Sequence, residues 1–176
     1  MEIKNLGIFC GSSSPNSASI FNNVKCFLEE LLRKNDYTII YGGAKIGIMG
    51  ELANIALKNG RSVYGVMPGF LKDREVDHEG LTTFELHDTM HSRKQRMYEL
   101  SDGFLILPGG FGTLDEFFEI LTWRQLYLHD KPIYLYNCNG FYDYLILHIK
   151  KMSDSGLISA SDKNLVKVIN SAQDMH

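Results

Sequence analysis

A doubly wound α/β sheet, parallel and covered by helices on both faces, is the fold class this sequence predicts. Three observations lead there. Short, near-continuous apolar runs alternate with segments of ten or more residues whose apolar positions recur every three or four. The runs lack polar alternation, the pattern of strands buried on both faces. Glycine recurs where the runs stop: Gly11, Gly42-Gly43, Pro68-Gly69 and Gly109-Gly110. In open sheets of this kind ligands bind outside the carboxyl ends of the strands, so these four turns are expected to meet at one site.

Residues 6–10 form the first apolar run and feed a polar turn, Gly11-Ser12-Ser13-Ser14-Pro15. From 17 to about 33, Ile20, Phe21, Val24, Phe27, Leu28, Leu31 and Leu32 mark a helix with one buried stripe. A strand follows at 37–41. A helix at 48–58 carries Met49, Leu52, Ile55 and Ala56 on one side and stops at Asn59-Gly60. The third strand, 62–67, is broken by Pro68-Gly69. The polar, aperiodic stretch 70–83 is expected to be a long loop, with a brief strand at 84–86. Helical spacing resumes near 89, then a strand at 104–107, a long helix at 113–128, a strand at 133–136 and a helix at 141–152. A last short helix is expected at 162–170.

A length of 176 residues, 44% apolar content, ten Phe, nine Tyr and sixteen Gly suit one folded domain spanning 1–176. The formal charge of −3, from 18 basic and 21 acidic residues, gives no reason to expect nucleic acid or a membrane as partner. Cys10, Cys26 and Cys138 are odd in number and widely spaced, unlike a disulfide framework or a metal site. The N-terminal residues lack a signal-peptide apolar region, and no apolar run approaches ~18 residues. A cytoplasmic location is expected.

The densest motif is 105–116, where an apolar run, Pro108-Gly109-Gly110-Phe111-Gly112 and a helix start, Thr113-Leu114-Asp115-Glu116, are fused without a spacer. Such a segment brings backbone N–H groups and a positive helix end to bear on an anion, as a phosphate-binding loop does. Of Asp115 and Glu116, either can face inward, and either can simply favour the helix N-terminus. The stretch Gly42-Gly43-Ala44-Lys45-Ile46-Gly47-Ile48-Met49-Gly50 superficially suggests a dinucleotide fingerprint. No acidic residue ends the next strand, so a nicotinamide site is disfavoured, and these glycines serve tight turns or a ligand with equal plausibility. Neither glycine loop ends in Gly-Lys-Ser/Thr, which removes the case for a magnesium-dependent ATPase. Serines 12–14 can donate hydroxyls to a phosphate or cap a helix.

Met90-His91-Ser92-Arg93-Lys94-Gln95-Arg96 gathers cationic groups on a helix that leads into the 104–107 strand. A solvated basic face is the default for such a run. Its place at the same sheet edge as the glycine loop lets Arg93 instead hold a phosphate or carboxylate. The histidines show no metal spacing, and no G-x-S-x-G elbow or Cys-His pair is present. No metal and no cofactor is expected. Trp123, Tyr127, Phe141, Tyr142 and Tyr144 serve either a core or a subunit interface.

Together these segments resemble the LOG family, the cytokinin-activating phosphoribohydrolases long labelled lysine decarboxylases. The resemblance rests on Phe9-Cys10-Gly11-Ser12-Ser13, Tyr41-Gly42-Gly43 with Gly47-Ile48-Met49-Gly50, and Gly65-Val66-Met67-Pro68. It continues in Met90-His91-Ser92-Arg93-Lys94, in 108–116, in Thr122-Trp123-Arg124-Gln125-Leu126 and in His129-Asp130-Lys131-Pro132, and so spans nearly the whole chain. It implies a Rossmann-like fold, a homodimer, and hydrolysis of the N-glycosidic bond of N6-substituted adenosine 5'-monophosphates, or AMP, to free base and ribose 5-phosphate. It implies Arg93 and Glu116 as the catalytic pair. Gly11, Ser12, Gly42, Gly43, Glu75, Lys94, Gly109, Gly110, Phe111, Gly112, Thr113, Leu114, Asp115 and Thr122 are implied to contact substrate or phosphate. In that scheme Glu116 stabilises the oxocarbenium-like ribose and orients or deprotonates water, while Gly110, Gly112 and Thr113 hold the 5'-phosphate. The chain departs from the family pattern at Ala44-Lys45, at Gly69 and at Asp115. The alternatives are a nucleotide-binding module without turnover and a molybdenum-cofactor-carrier-like protein. No lysine stands in a recognisable pyridoxal-phosphate setting.

Overall fold

The computed structural model describes residues 2–71 and 78–175. Among these, seven strands form one sheet: β1 (Asn5–Phe9), β2 (Thr38–Tyr41), β3 (Val63–Pro68), β4 (Thr83–His87), β5 (Gly103–Ile106), β6 (Ile133–Tyr136) and β7 (Lys167–Ile169). Their spatial order is β4-β3-β2-β1-β5-β6-β7, and every neighbouring pair is parallel. Five helices connect them: α1 (Ala18–Lys34), α2 (Gly47–Lys58), α3 (Met90–Leu100), α4 (Phe111–Gln125) and α5 (Asp143–Asp154). The doubly wound α/β class is therefore met.

The period-two alternation inside each strand assigns its side chains to one of two cores. Leu6, Ile8, Ile39, Leu105 and Leu107 pack with Val24, Phe27, Leu28 and Leu31 of α1 and Leu52 and Ile55 of α2. Phe9, Ile40, Phe104 and Ile106 face the opposite side and pack with Met97 of α3, Phe117 and Ile120 of α4 and Ile149 of α5. Each such side chain contributes roughly 1.5–3 kcal/mol on burial, so a strand shifted by one residue would expose a whole row of them.

The chain reverses its winding direction at β1. Strands β2, β3 and β4 lie to one side of β1, and β5, β6 and β7 to the other. The carboxyl ends of β1 and β5 are thus adjacent at a topological switch point, where a crevice forms. Two backbone bonds stitch its lips, Gly11 N–H to the Pro108 carbonyl (3.1 Å) and Met49 N–H to the Gly11 carbonyl (3.2 Å).

Two expectations need correction. Residues 162–170 are not one helix: a short turn at Asp162–Asn164 precedes strand β7, which pairs with β6 in the register Leu135↔Val168. Val166, Val168 and Ile169 are β-branched and suit a pleated surface, and β6 offers an otherwise open edge. The long helix starts two residues earlier than the spacing implies and ends at Gln125, because Tyr127 adopts φ 59. The Leu128 N–H then reaches back to the Trp123 carbonyl, a left-handed helix stop of the kind glycine more often supplies.

Candidate active site

A cavity of about 460 Å³ opens at the switch point. Its wall is built from the turns after four strands: Cys10 to Pro15 after β1, Gly42 after β2, Pro68 at the end of β3, and Pro108 to Thr113 after β5. The expectation that the glycine turns converge therefore holds for these four ends. Gly110 is the N-cap of α4 and offers no side chain to the first-turn amides, and no acidic residue lies in that first turn. Phe111, Gly112 and Thr113 of that first turn line the cavity, and the positive end of α4 carries no cap of its own there, an arrangement that suits an anion.

Glycine is required at two of these positions by close approach. A Cβ on Gly109 would stand 2.1 Å from Thr113 Oγ1 and 2.9 Å from Gly11 N, and one on Gly42 would stand 2.6 Å from an Arg93 guanidinium nitrogen. A Cβ on Gly110 or Gly112 would meet nothing within 4 Å. Glycine there leaves backbone uncovered toward the opening instead of relieving contact inside the protein.

The floor of the cavity is an ion pair. Arg93, in the first turns of α3, donates from Nε to the Val66 carbonyl of β3 (3.0 Å) and from its terminal nitrogen to Glu116 of α4. Arg93 is 5% exposed and Glu116 4%, so both charges are withdrawn from water. The aim of Arg93 is set by the start of α3, where Thr89 and Ser92 form a reciprocal cap. Burial pushes the Glu116 carboxyl above its ordinary range, and the neighbouring Arg93 opposes that shift without cancelling it. Cys10 lies in the same wall, and burial, reinforced by the Glu116 charge, pushes its thiol well above the usual range. It is a neutral wall group, not a nucleophile. Of the two carboxylates left open by the sequence, Glu116 faces inward.

The cavity wall includes Gly11, Ser12, Gly42, Arg93, Gly109, Gly110, Phe111, Gly112, Thr113 and Glu116. Lys94 and Asp115 pair with each other instead (3.1 Å), and Lys94 also reaches Glu119 (3.1 Å). Burial works against the Lys94 charge, yet these two carboxylates outweigh it and hold the ammonium above its ordinary range. This second clip joins α3 to α4 outside the cavity. Gly43 lies beside Phe84 and Gly65, Leu114 packs in the α3–α5 core, and Thr122 is exposed on α4; none of them lines the cavity. Glu75 lies outside the described residues.

Sequence reasoning missed the apolar part of the wall. Ile20, Ile48, Met49, Leu71, Met90 and Phe141 all line the opening. On the sequence Ile20, Ile48 and Met49 read as helix positions facing a core, Leu71 as part of a long loop, and Met90 as the start of a basic run. Only Phe141 carried a usable signal, because it lies just past the carboxyl end of a strand. Among the described residues, no group of three or more His, Cys, Asp or Glu could hold a metal ion, and no helix is long and apolar enough to cross a membrane.

A family model described as "Possible lysine decarboxylase" matches residues 49–176. The cytokinin riboside 5'-monophosphate phosphoribohydrolase LOG1 of Arabidopsis thaliana is 37% identical over 174 residues, covering 99% of this chain and 81% of that protein. The phosphoribohydrolase of the same name from Rhodococcoides fascians is 39% identical over 166 residues, covering 94% of this chain and 83% of its own. Among solved structures, a molybdenum cofactor binding protein from Rippkaea orientalis superposes with a TM-score of 0.71 at 18% identity, covering 99% of this chain and 94% of that one. The molybdenum cofactor carrier protein of Chlamydomonas reinhardtii gives 0.68 at 19%, with the same coverage. At that identity the likeness is one of fold. The sequence relatives span both glycine loops and both residues of the buried ion pair, and on that match the chain belongs to the LOG family.

Proposed function

We propose that the protein hydrolyses the N-glycosidic bond of N6-substituted adenosine 5'-monophosphates, releasing the free base and ribose 5-phosphate. The observation that carries this reading is the buried Arg93–Glu116 pair, set in the cavity floor beside the uncapped N-terminus of α4. The relatives support it, since LOG1 and its Rhodococcoides counterpart are named for that reaction.

In the mechanism, the amides around Gly110, Gly112 and Thr113 hold the 5'-phosphate, and this remote binding orients the sugar at the reacting centre. As the bond between the ribose anomeric carbon and the base nitrogen lengthens, positive charge grows on the ribose. The Glu116 carboxylate stabilises that charge and takes a proton from the attacking water. The water oxygen bonds to the anomeric carbon as the bond to the base nitrogen breaks; the departing base takes a proton from solvent and Glu116 returns the one it took, so atoms and charge balance. Arg93 is already committed to Val66 and Glu116. Its part is to hold the carboxylate in one orientation and to place a positive charge beside the leaving group.

The proposal extends to a cytoplasmic homodimer built from a single domain. Support for self-association comes from exposed apolar side chains at the end of α4 and on α5: Leu126, Tyr127, Leu128, Tyr144 and Leu147. Phe111, 93% exposed on the cavity rim at the other end of α4, is a further exposed apolar side chain beside the site. The test is to incubate the protein with AMP, isopentenyladenosine monophosphate and the two dephosphorylated nucleosides, and to follow base release by chromatography. Release from the monophosphates alone is expected. Binding without release from any of them would replace the hydrolase with a nucleotide-binding module.

A further inference from the structure

The loop after β5 is held from two directions, and the two are unlike. Toward β1 the hold is backbone: Leu107 N–H donates to the Phe9 carbonyl (2.9 Å), and Gly11 N–H donates to the Pro108 carbonyl (3.1 Å). Toward β6 the ladder ends at Ile106↔Leu135. Past that rung, on the β6 side, the Leu107 carbonyl accepts a hydrogen bond from the Tyr142 hydroxyl (2.7 Å). Gly109 follows two residues on from that carbonyl, in the same turn. One buried side chain therefore holds the start of the turn on which Pro108 and Gly109 lie, past the last rung of the β5–β6 ladder.

Tyr142 is itself fixed. It is 3% exposed, its ring meets Phe141 edge-on at 4.8 Å, and its backbone N–H donates to Asn137 Oδ1 (2.8 Å). Asn137 is anchored in turn by donating from Nδ2 to Asp143 Oδ1 (2.7 Å). The cavity thus receives the influence of β6 through a rigid chain of contacts, Asn137 to Tyr142 to Leu107. Glu116 is held separately, by Arg93 from α3.

We propose that Tyr142 is the positioning residue of the phosphate loop, acting through Leu107 to aim the Gly110 and Gly112 amides into the cavity. The proposal rests on the phosphoribohydrolase reading, and it separates two functions within the site. Tyr142 governs how tightly the 5'-phosphate is held, whereas the Arg93–Glu116 pair governs the chemistry.

The experiment compares wild-type protein with Y142F, which keeps the ring and removes the hydroxyl. Ribose 5-phosphate binding is measured by calorimetry, and KM and kcat are measured with AMP. Loss of one aligned hydrogen bond predicts a Kd and a KM about tenfold higher, with kcat within about threefold of wild type. A lower unfolding midpoint with unchanged Kd and KM would mean a purely structural role and would overturn the proposal. Should Y142F not fold, N137A is read instead. It loosens the Tyr142 backbone and is expected to weaken ribose 5-phosphate binding in the same direction; an unchanged Kd would equally overturn the proposal. If wild-type protein neither releases base from AMP nor binds ribose 5-phosphate, the phosphoribohydrolase reading itself falls and this proposal with it. Equal binding by wild type and variant removes the positioning role alone.

Discussion

Replacing Arg93 by methionine strands the Glu116 carboxyl in the protein interior, and the cost of doing so should depend on pH. Breaking a buried pair by removing one partner costs about 3–5 kcal/mol, because the remaining charge has neither water nor counter-ion. Glu116 has an escape that Arg93 lacks, since it can take up a proton. Burial already pushes its pKa above the ordinary 4.5 in the presence of Arg93, and removing Arg93 removes the influence that opposes this. A group whose folded pKa is raised binds more protons folded than unfolded in the window above 4.5, so stability falls as pH rises through that window. The slope is up to about 1.4 kcal/mol per pH unit. The gap between R93M and wild type should therefore widen as pH rises above the ordinary carboxylate range, by no more than about 1.4 kcal/mol per pH unit. E116L strands the guanidinium instead, which stays charged, so its penalty should be nearly flat over the same range. The double variant R93M/E116L buries no charge and should be less destabilised than the sum of the singles. Urea unfolding of the four proteins at several pH values checks all of this. A gap between R93M and wild type that does not change with pH, or single penalties that simply add, would refute the view that these two charges are mutually compensated in a dry site.

The same pair predicts that E116Q, isosteric but uncharged, loses about 10²–10³ in kcat with AMP, and that the acid limb of wild-type kcat/KM lies above the ordinary carboxylate range. Rates measured across pH check both, and full activity near pH 4.5 would contradict the second. The adjacent glycines should separate folding from binding. G109A drives a Cβ into Thr113 and is expected to lower the unfolding midpoint, whereas G110A points into open space and should raise KM by about tenfold or more at unchanged stability. K94M removes the clip to Asp115 and Glu119 and should cost no more than about 1 kcal/mol by urea titration, with kcat/KM changed less than about threefold. A tenfold or larger fall would show that Lys94 leaves its carboxylate partners to contact substrate.

The architecture was legible because its signals are local. Near-continuous apolar runs such as Leu105-Ile106-Leu107 and the stripe from Ile20 to Leu32 each carry their period within a few turns. Glycine at positions 11, 42 and 109 marks strand ends through short-range steric demands. The failures are of another kind. Strand β7 depends on the exposed edge of β6, some thirty residues away, and the stop at Tyr127 uses a left-handed residue where glycine was the expected sign. Most of the apolar wall of the cavity was invisible for a similar reason, since Ile20, Ile48 and Met49 look no different on the sequence from residues in the core.

The sequence by itself determined the alternation of strands and helices and the four glycine turns at strand ends, and its resemblance to the LOG family singled out Arg93 and Glu116 as candidates. Only the tertiary structure decided that these two are locked together out of water, that Lys94 and Asp115 are occupied by each other outside the cavity, and that Tyr142 braces the loop after β5. Periodicity and turn chemistry act over a few residues and can be read along the chain. The protonation and direction of a buried group depend on what packs against it from distant segments, and those neighbours exist only once the sheet has formed.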